Sequence, residues 1–332
     1  MLKRLVERDL YDLLGRIADS YRLRVPGLLD DGTRTLLPWD GQQISLFGEP
    51  PQRKPTAYFF PQTDPLLKID PRGQATSAAV AEKPFALFGL DSIDLAALAF
   101  TDRFFSNPPP DDHYLRRRNG ALLIGLTGYA GPSREFLPLV KGNCDLELIA
   151  CGEYWLARAG CKSADHWLAH YPHGDQEQLA VLQRESAQWN HWAAVAVQQA
   201  MELLQQDLVP DSFWEEIASR CILCSGCNLA CPTCTCFCVQ DRQTATGTVR
   251  SRVWDSCQLD AFMREASGHN PLGTEALRTR RRIYHKLVAD PERWGEPGCV
   301  LCGRCDRACP TGIGMFAVTK EIVSRFAISS PD

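Results

Sequence analysis

The stretch Ser219–Asp241 reads SRCILCSGCNLACPTCTCFCVQD and places seven cysteines in a short run rich in turn-forming residues. A sparser run, GCVLCGRCDRACP, spans Gly298–Pro310. Aligned on their cysteines the two are one pattern: Cys221-x2-Cys224-x2-Cys227-x3-Cys231-Pro232 and Cys299-x2-Cys302-x2-Cys305-x3-Cys309-Pro310. Structural zinc also takes four thiolates, usually as two closely spaced pairs with a spacer between them. Three evenly spaced cysteines closed by Cys-Pro, twice over, match instead the bacterial run that binds [4Fe–4S] clusters. The short spacings let a tight loop wrap three thiolates around one cluster, and the fourth cysteine serves the other cluster in two-cluster proteins. The ligand sets expected are therefore Cys221, Cys224, Cys227 and Cys309 for one cluster, and Cys299, Cys302, Cys305 and Cys231 for the other. Proline after the fourth cysteine removes a backbone donor and sets the exit direction.

The rest of the composition agrees with a metal reading. The chain has 332 residues, of which 45% are hydrophobic and 23% charged, so about two globular domains are expected. A net charge of −4 gives no basic face for nucleic acid. The N-terminus, MLKRLVERDLYDLLGRIADSY, has no continuous apolar core of the signal-peptide kind. Leu2, Leu5, Val6, Leu10, Leu13, Leu14 and Ile17 fall near helical spacing and predict an amphipathic helix. No run approaches the roughly 18 apolar residues of a membrane span. A cytoplasmic chain is expected, where structural disulfides are rare, so its 15 cysteines point to metal.

The fold class expected is α+β. Ala57–Phe60, Phe85–Leu90, Ala121–Leu126 and Leu146–Cys151 read as strands bounded by turn residues. Asp94–Phe105 and Ser163–His170 read as helices. Residues 1–175 are thus expected to form a mixed α/β domain. A long polar–apolar helix over Gln176–Gln206 places a linking segment at 176–210. Ser212 with Glu215 fits a capping box that starts the next helix. Asp255–Ala266 and Thr274–Ala289 also look helical, with Gly268 and Asp290-Pro291 as stops. Sixty-seven residues separate Cys231 from Cys299, far more than a compact ferredoxin with a small sheet needs. Residues 211–332 are therefore expected to be a mostly helical, ferredoxin-type domain.

Cys234, Cys236, Cys238 and Cys257 lie outside the repeat. They would either ligate a third cluster or a zinc, or pack as small buried hydrophobes. Cys144, Cys151 and Cys161 have no metal-loop spacing and read as structural. The Arg278–Arg282 run, RTRRR, is either a solvated helix face or a source of positive charge beside anionic clusters, which raises their potential. Arg304 and Arg307, inside the second run, are stronger candidates for that role. His269 and His285 read as structural or surface residues.

Four stretches carry a family resemblance: FFPQTDPLL (Phe59–Leu67), FGLDSIDLAAL (Phe88–Leu98), CPTCTCF (Cys231–Phe237), and RVWDSCQLDAFMREASGHNP (Arg252–Pro271) with RRRIYHKL (Arg280–Leu287). With both cysteine runs in order, the chain resembles the iron–sulfur β subunit of cytoplasmic sulfhydrogenases, a family shared with the corresponding iron–sulfur subunit of anaerobic sulfite reductase. The resemblance implies a flavoprotein partner binding FAD and NAD(P)H, and a catalytic partner, either a NiFe hydrogenase or a sulfite reductase. Members of that family often carry extra N-terminal cysteines. Here Ile93 precedes Asp94, Thr127 follows ALLIGL, and no C-F-C precedes Cys144. The N-terminal domain then reads as a docking scaffold.

The chain has no G-x-G-x-x-G between strand and helix, and no nucleophile–base constellation. Two adjacent clusters make a wire. The expected function is single-electron relay between a flavoprotein and a catalytic subunit, with the hydrogenase preferred. Two other readings stand beside it: a heterodisulfide-reductase-like component with a catalytic third cluster at Cys234, Cys236, Cys238 and Cys257, and a structural zinc module.

Overall fold

A computed structural model describes residues 1–46, 48, 50–79, 83–130 and 135–327. The chain is mixed α/β and divides into two compact units: Met1–Phe60 with Ala79–Trp189, and Pro61–Ala78 with Asn190–Asp332. Residues 61–78 therefore fold with the C-terminal half, where the sequence suggested contiguous segments 1–175, 176–210 and 211–332.

The first unit is built on an eight-stranded sheet. Arg22–Leu28, Phe85–Leu90, Leu122–Ala130 and Leu146–Cys151 pair in parallel in that order. Antiparallel strands flank them: Arg34–Pro38 on one side, Trp155–Ala159 and then Leu2–Leu5 on the other, while Glu135–Leu137 pairs with Leu122–Ala130. Alternating side chains face opposite layers, as the strand period requires. Leu146, Leu148 and Ala150 pack with Leu10, Leu13, Leu14 and Ile17 of the Glu7–Ser20 helix. Ile149 and Leu156 pack instead with Leu179 and Leu182 of the Gln176–Gln188 helix.

Three expected strands are present. Leu2 and Leu5, read as part of the first helix, instead form an edge strand ahead of it. Ala57–Phe60 is not a strand: Pro55–Tyr58 is a short 3-10 turn. The run is apolar because all four residues are buried, and Pro55 presets a helical φ at its start. The Ser92–Ser106 helix begins two residues before the expected Asp94, with Asp91 Oδ1 accepting from Asp94 N at 2.7 Å.

The single helix expected over 176–206 is two helices, Gln176–Gln188 and Ala194–Gln205. Trp189 is extended, and His191 Nδ1 accepts from Ala193 N at 3.1 Å. Each helix buries its apolar residues in a different core, so the break separates two faces that one straight helix could not serve.

The second unit carries helices around a core of Val197, Ala200, Leu204, Phe213, Trp214, Ile217, Ile283, Leu287, Met315, Val318 and Ile322. It also carries a four-stranded antiparallel sheet that the sequence did not suggest, which corrects the mostly helical expectation. Phe237–Thr244 and Gly247–Trp254 form a hairpin, and Thr63–Ile69 and then Ala75–Ser77 extend it. Strand Phe237–Thr244 is largely exposed and Gly247–Trp254 is mostly half-buried, so the hairpin lacks the apolar alternation by which strands are recognised. Gly247 turns it with φ +136, and a Cβ there would collide with the Ile69 carbonyl. A buried ion pair, Arg252–Asp64 at 2.7 Å, ties strand Thr63–Ile69 to the hairpin.

Residues 255–267 form turns rather than a helix. Asp255 Oδ1 accepts from Ser256 N and Ser256 Oγ from Gln258 N, local bonds that compete with helical ones. The Asp211–Ser219 helix starts directly after Pro210, without the expected Ser212 cap. Glu275–Tyr284 is helical as expected, but the chain continues through a π-helical turn, His285–Ala289, into Asp290–Trp294. Pro291 does not stop it, because it sits in the first turn of the new segment, where a missing N–H costs nothing.

Candidate metal centres

The two cysteine runs adopt the same backbone. Leu223 and Ser225 have φ of +53° and +63°, and Leu301 and Gly303 at the same offsets have +61° and +66°. A short helical turn follows each, Gly226–Leu229 and Arg304–Arg307. Left-handed conformations outside glycine are costly, and alternating right- and left-handed residues aim successive N–H groups into an anion-binding concavity, as at many iron–sulfur sites.

Each loop closes over a cavity together with one cysteine from the other run. Cys221, Cys224, Cys227 and Cys309 line the first, with Ile217, Ile283 and Val318 among its apolar walls. Cys231, Cys299, Cys302 and Cys305 line the second, with Met315 and Phe316. Cys227 also reaches the second cavity, and Arg282 lines both. The donor chemistry fits a [4Fe–4S] cluster in each: four soft sulfurs around a mainly apolar chamber.

Both runs continue as Cys-Pro-Thr. Thr233 Oγ1 lies 3.3 Å from Cys231 Sγ, and Thr311 Oγ1 lies 3.5 Å from Cys309 Sγ. Thr233 donates to Gly298 O at 2.5 Å and accepts from Lys286 Nζ at 2.8 Å. Burial pushes the Cys227 thiol up to about 11 and the Cys299 thiol up to about 12.

The arginine run is divided by the helix. Arg278 and Arg282, four residues apart, are buried on one face. Arg278 pairs with Asp260 and Glu275, while Arg280 pairs with Asp207 and Asp211. Burial opposes the charge on Arg282, yet Cys227, Cys305 and Cys231 hold its pKa above the usual range. Lys286 behaves likewise: burial works against its charge, and Cys231, Cys234 and Asp290 outweigh it. Arg304 is buried, whereas Arg307 is exposed with its guanidinium 3.5 Å from Cys302 O. The sequence singled out Arg304 and Arg307 over Arg282 and missed Lys286, which the π-helical turn carries to the cavity wall.

Of the four trailing cysteines, three converge. The Cys236 thiol is hydrogen-bonded to those of Cys234 and Cys257. Asn228 Nδ2 donates to Cys257 Sγ at 3.2 Å. Cys238 lies on the hairpin and accepts from Gln240 Nε2 at 3.3 Å. In the first unit, Cys161 sits 3.1 Å from Ser163 Oγ and 3.5 Å from Asp145 Oδ1, and burial pushes Cys144 up to about 12. His285 lies 3.5 Å from Asp290.

Residues 220–313 match the family described as a 4Fe-4S dicluster domain, which supports [4Fe–4S] clusters as the cofactor. The chain is also 28% identical over 317 residues to sulfhydrogenase 2 subunit beta of Pyrococcus furiosus, covering 91% of this chain and 89% of that protein. No solved structure matches it. These findings support the resemblance read from the sequence: residues 220–313 match a 4Fe-4S dicluster domain, and the chain is similar along most of its length to a sulfhydrogenase β subunit.

Proposed function

We propose that this chain is the electron-relay subunit of a sulfhydrogenase-type complex, passing single electrons through two [4Fe–4S] clusters. Cys221, Cys224, Cys227 and Cys309 hold one cluster; Cys299, Cys302, Cys305 and Cys231 hold the other. The observation that carries this reading is the pair of four-cysteine cavities that share Cys227 and Arg282 as wall residues. Bound clusters supply reversible one-electron redox chemistry. The chain's own residues tune it. Arg282 offsets thiolate charge at both sites and Lys286 at the second, while Ile217, Ile283, Val318, Met315 and Phe316 give the cavities apolar walls.

The partners in this reading are a flavoprotein subunit binding FAD and NAD(P)H and a catalytic subunit. The likeness to a sulfhydrogenase β subunit favours a NiFe hydrogenase over a sulfite reductase in that role. Among the described residues no helix is long and apolar enough to cross a membrane, and a cytoplasmic complex is part of the reading. The second unit is a ferredoxin-type domain with a sheet, and the first serves for docking.

The test is electron transfer in the assembled complex. Cys224→Ser and Cys302→Ser should each stop reduction of the catalytic subunit by NAD(P)H while leaving flavin reduction intact. Transfer at the wild-type rate in either variant would falsify the relay.

A further inference from the structure

The thiol group at Cys236 is not absorbed by the two cavities. Cys236 and Cys257 come from segments that run side by side. Phe237 pairs with Trp254 at the open end of the hairpin, and Asp255 N donates to Cys236 O at 3.0 Å. Backbone pairing, rather than two loose loops, therefore brings the two sulfurs together, and the thiols are hydrogen-bonded. Asn228 Nδ2 bonds both Cys257 Sγ and Ser256 Oγ, at 3.2 and 2.8 Å, and pins the Cys257 turn to the first loop. Cys257 is buried, whereas Cys236 is only partly so. Cys234 bonds the same Cys236 thiol and also acts on Lys286 at the second cavity.

We propose that Cys236 and Cys257 are a redox-active dithiol, which closes to a disulfide by exchange with a small external disulfide. The more accessible sulfur acts first. The Cys236 sulfur passes its proton to the Cys257 sulfur it hydrogen-bonds and attacks the external disulfide; that S–S bond breaks, the external thiolate that leaves takes the proton on from Cys257, and a mixed disulfide forms on Cys236. The buried Cys257 thiolate then attacks the Cys236 sulfur and releases the second external thiolate. The two protein thiols give up two electrons and two protons, and the external disulfide takes both to become two thiols. Exchange through a mixed disulfide is the general route for such reactions, and a reversible disulfide in a chain of this kind is of the catalytic or sensing type. The pair would give a one-electron relay a two-electron station beside it. The proposal stands whether or not the relay reading does.

The experiment uses the cluster-loaded full chain, kept anaerobic and treated with oxidised glutathione. Free thiols are then alkylated and the digest mapped by mass spectrometry, with iron and zinc measured on the same sample. The expected result is a Cys236–Cys257 cross-linked peptide that dithiothreitol reverses, with iron unchanged. Cys257→Ser should stop at a glutathione adduct on Cys236. Three results overturn the proposal: both thiols still free after treatment, a Cys234–Cys236 bridge in place of the expected one, or a metal beyond the two clusters that is lost in Cys236→Ser. Mapping of the unmodified chain decides the matter even if Cys257→Ser does not fold.

Discussion

Arg282 and Lys286 are one helical turn apart and share Cys231, yet only Arg282 also addresses the first ligand set. Arg282 faces Cys227, Cys305 and Cys231, one from the first ligand set and two from the second. Lys286 faces Cys231 and Cys299, both from the second. A unit charge about 8 Å away in an effective dielectric of about 20 is worth about 2 kcal/mol, or about 90 mV for one electron. Arg282→Gln should therefore lower both cluster potentials by an amount on that order, and Lys286→Met only the second. Redox titration followed by EPR separates the two; equal shifts of both clusters in Lys286→Met would contradict the assignment. Burial also fixes how the empty sites load. The Cys227 and Cys299 thiols, raised to about 11 and about 12, hold their protons at neutral pH, and ligation must release them. Cluster uptake by apo-protein from iron and sulfide should thus rise between about pH 6.5 and about pH 8.5. A flat profile would mean these thiols are not what limits loading. The cysteine sets that line the two cavities were legible, because spacing is a covalent property of the chain. The charge around them was only half legible: Arg282 stood out in a run, whereas Lys286 lies outside that run and shares a face with Arg278 and Arg282 only through its four-residue spacing.

At the scale of the element, the paired loops make a comparison of their own. The first position of the second spacer is occupied differently in the two runs: Ser225 in one and Gly303 in the other stand at the same left-handed φ. Ser225→Gly should be tolerated with full cluster content, since glycine adopts that conformation freely. Gly303→Val should lose the second cluster, because its Cβ would lie 3.2 Å from Phe316 and 3.3 Å from Arg307 at an already strained φ. Iron content of the two variants checks this; equal retention would show that the loop backbone does not govern loading. Elements whose faces were buried and periodic, such as Phe85–Leu90 and Ser92–Ser106, were readable in advance. The Phe237–Trp254 hairpin was not, because few of its residues are buried and Phe237 and Val239 are exposed among polar neighbours. The Asp255–Ala266 stretch had helical composition, but the Asp255 and Ser256 side chains bond the local backbone instead.

On the scale of the whole molecule, the sequence's contiguous segments give way to an interleaved chain. Strand Thr63–Ile69 is separated from its hairpin partner by most of the first unit's sequence, a pairing that no local pattern reports. Its anchor is the fully buried Asp64–Arg252 pair. Removing one partner leaves an unpaired buried charge, so Asp64→Ala should destabilise the protein by about 3–5 kcal/mol, read as the shift in a chemical denaturation midpoint. A loss below about 1 kcal/mol would place that strand outside the cooperative core. The proposed crossing of ligands between runs is the corresponding long-range feature of the site: Cys309 lines the first cavity and Cys231 the second, from opposite sides of the hairpin in sequence.

That crossing is tested most directly by EPR of the dithionite-reduced Cys309→Ser variant, compared with Cys224→Ser and Cys302→Ser, alongside iron and acid-labile sulfide. Unmodified protein should hold about eight of each. Cys309→Ser should lose or alter the same cluster signal as Cys224→Ser and leave the signal affected by Cys302→Ser in place. The reverse match, with Cys309→Ser behaving like Cys302→Ser, would mean that each run ligates its own cluster and would contradict the account.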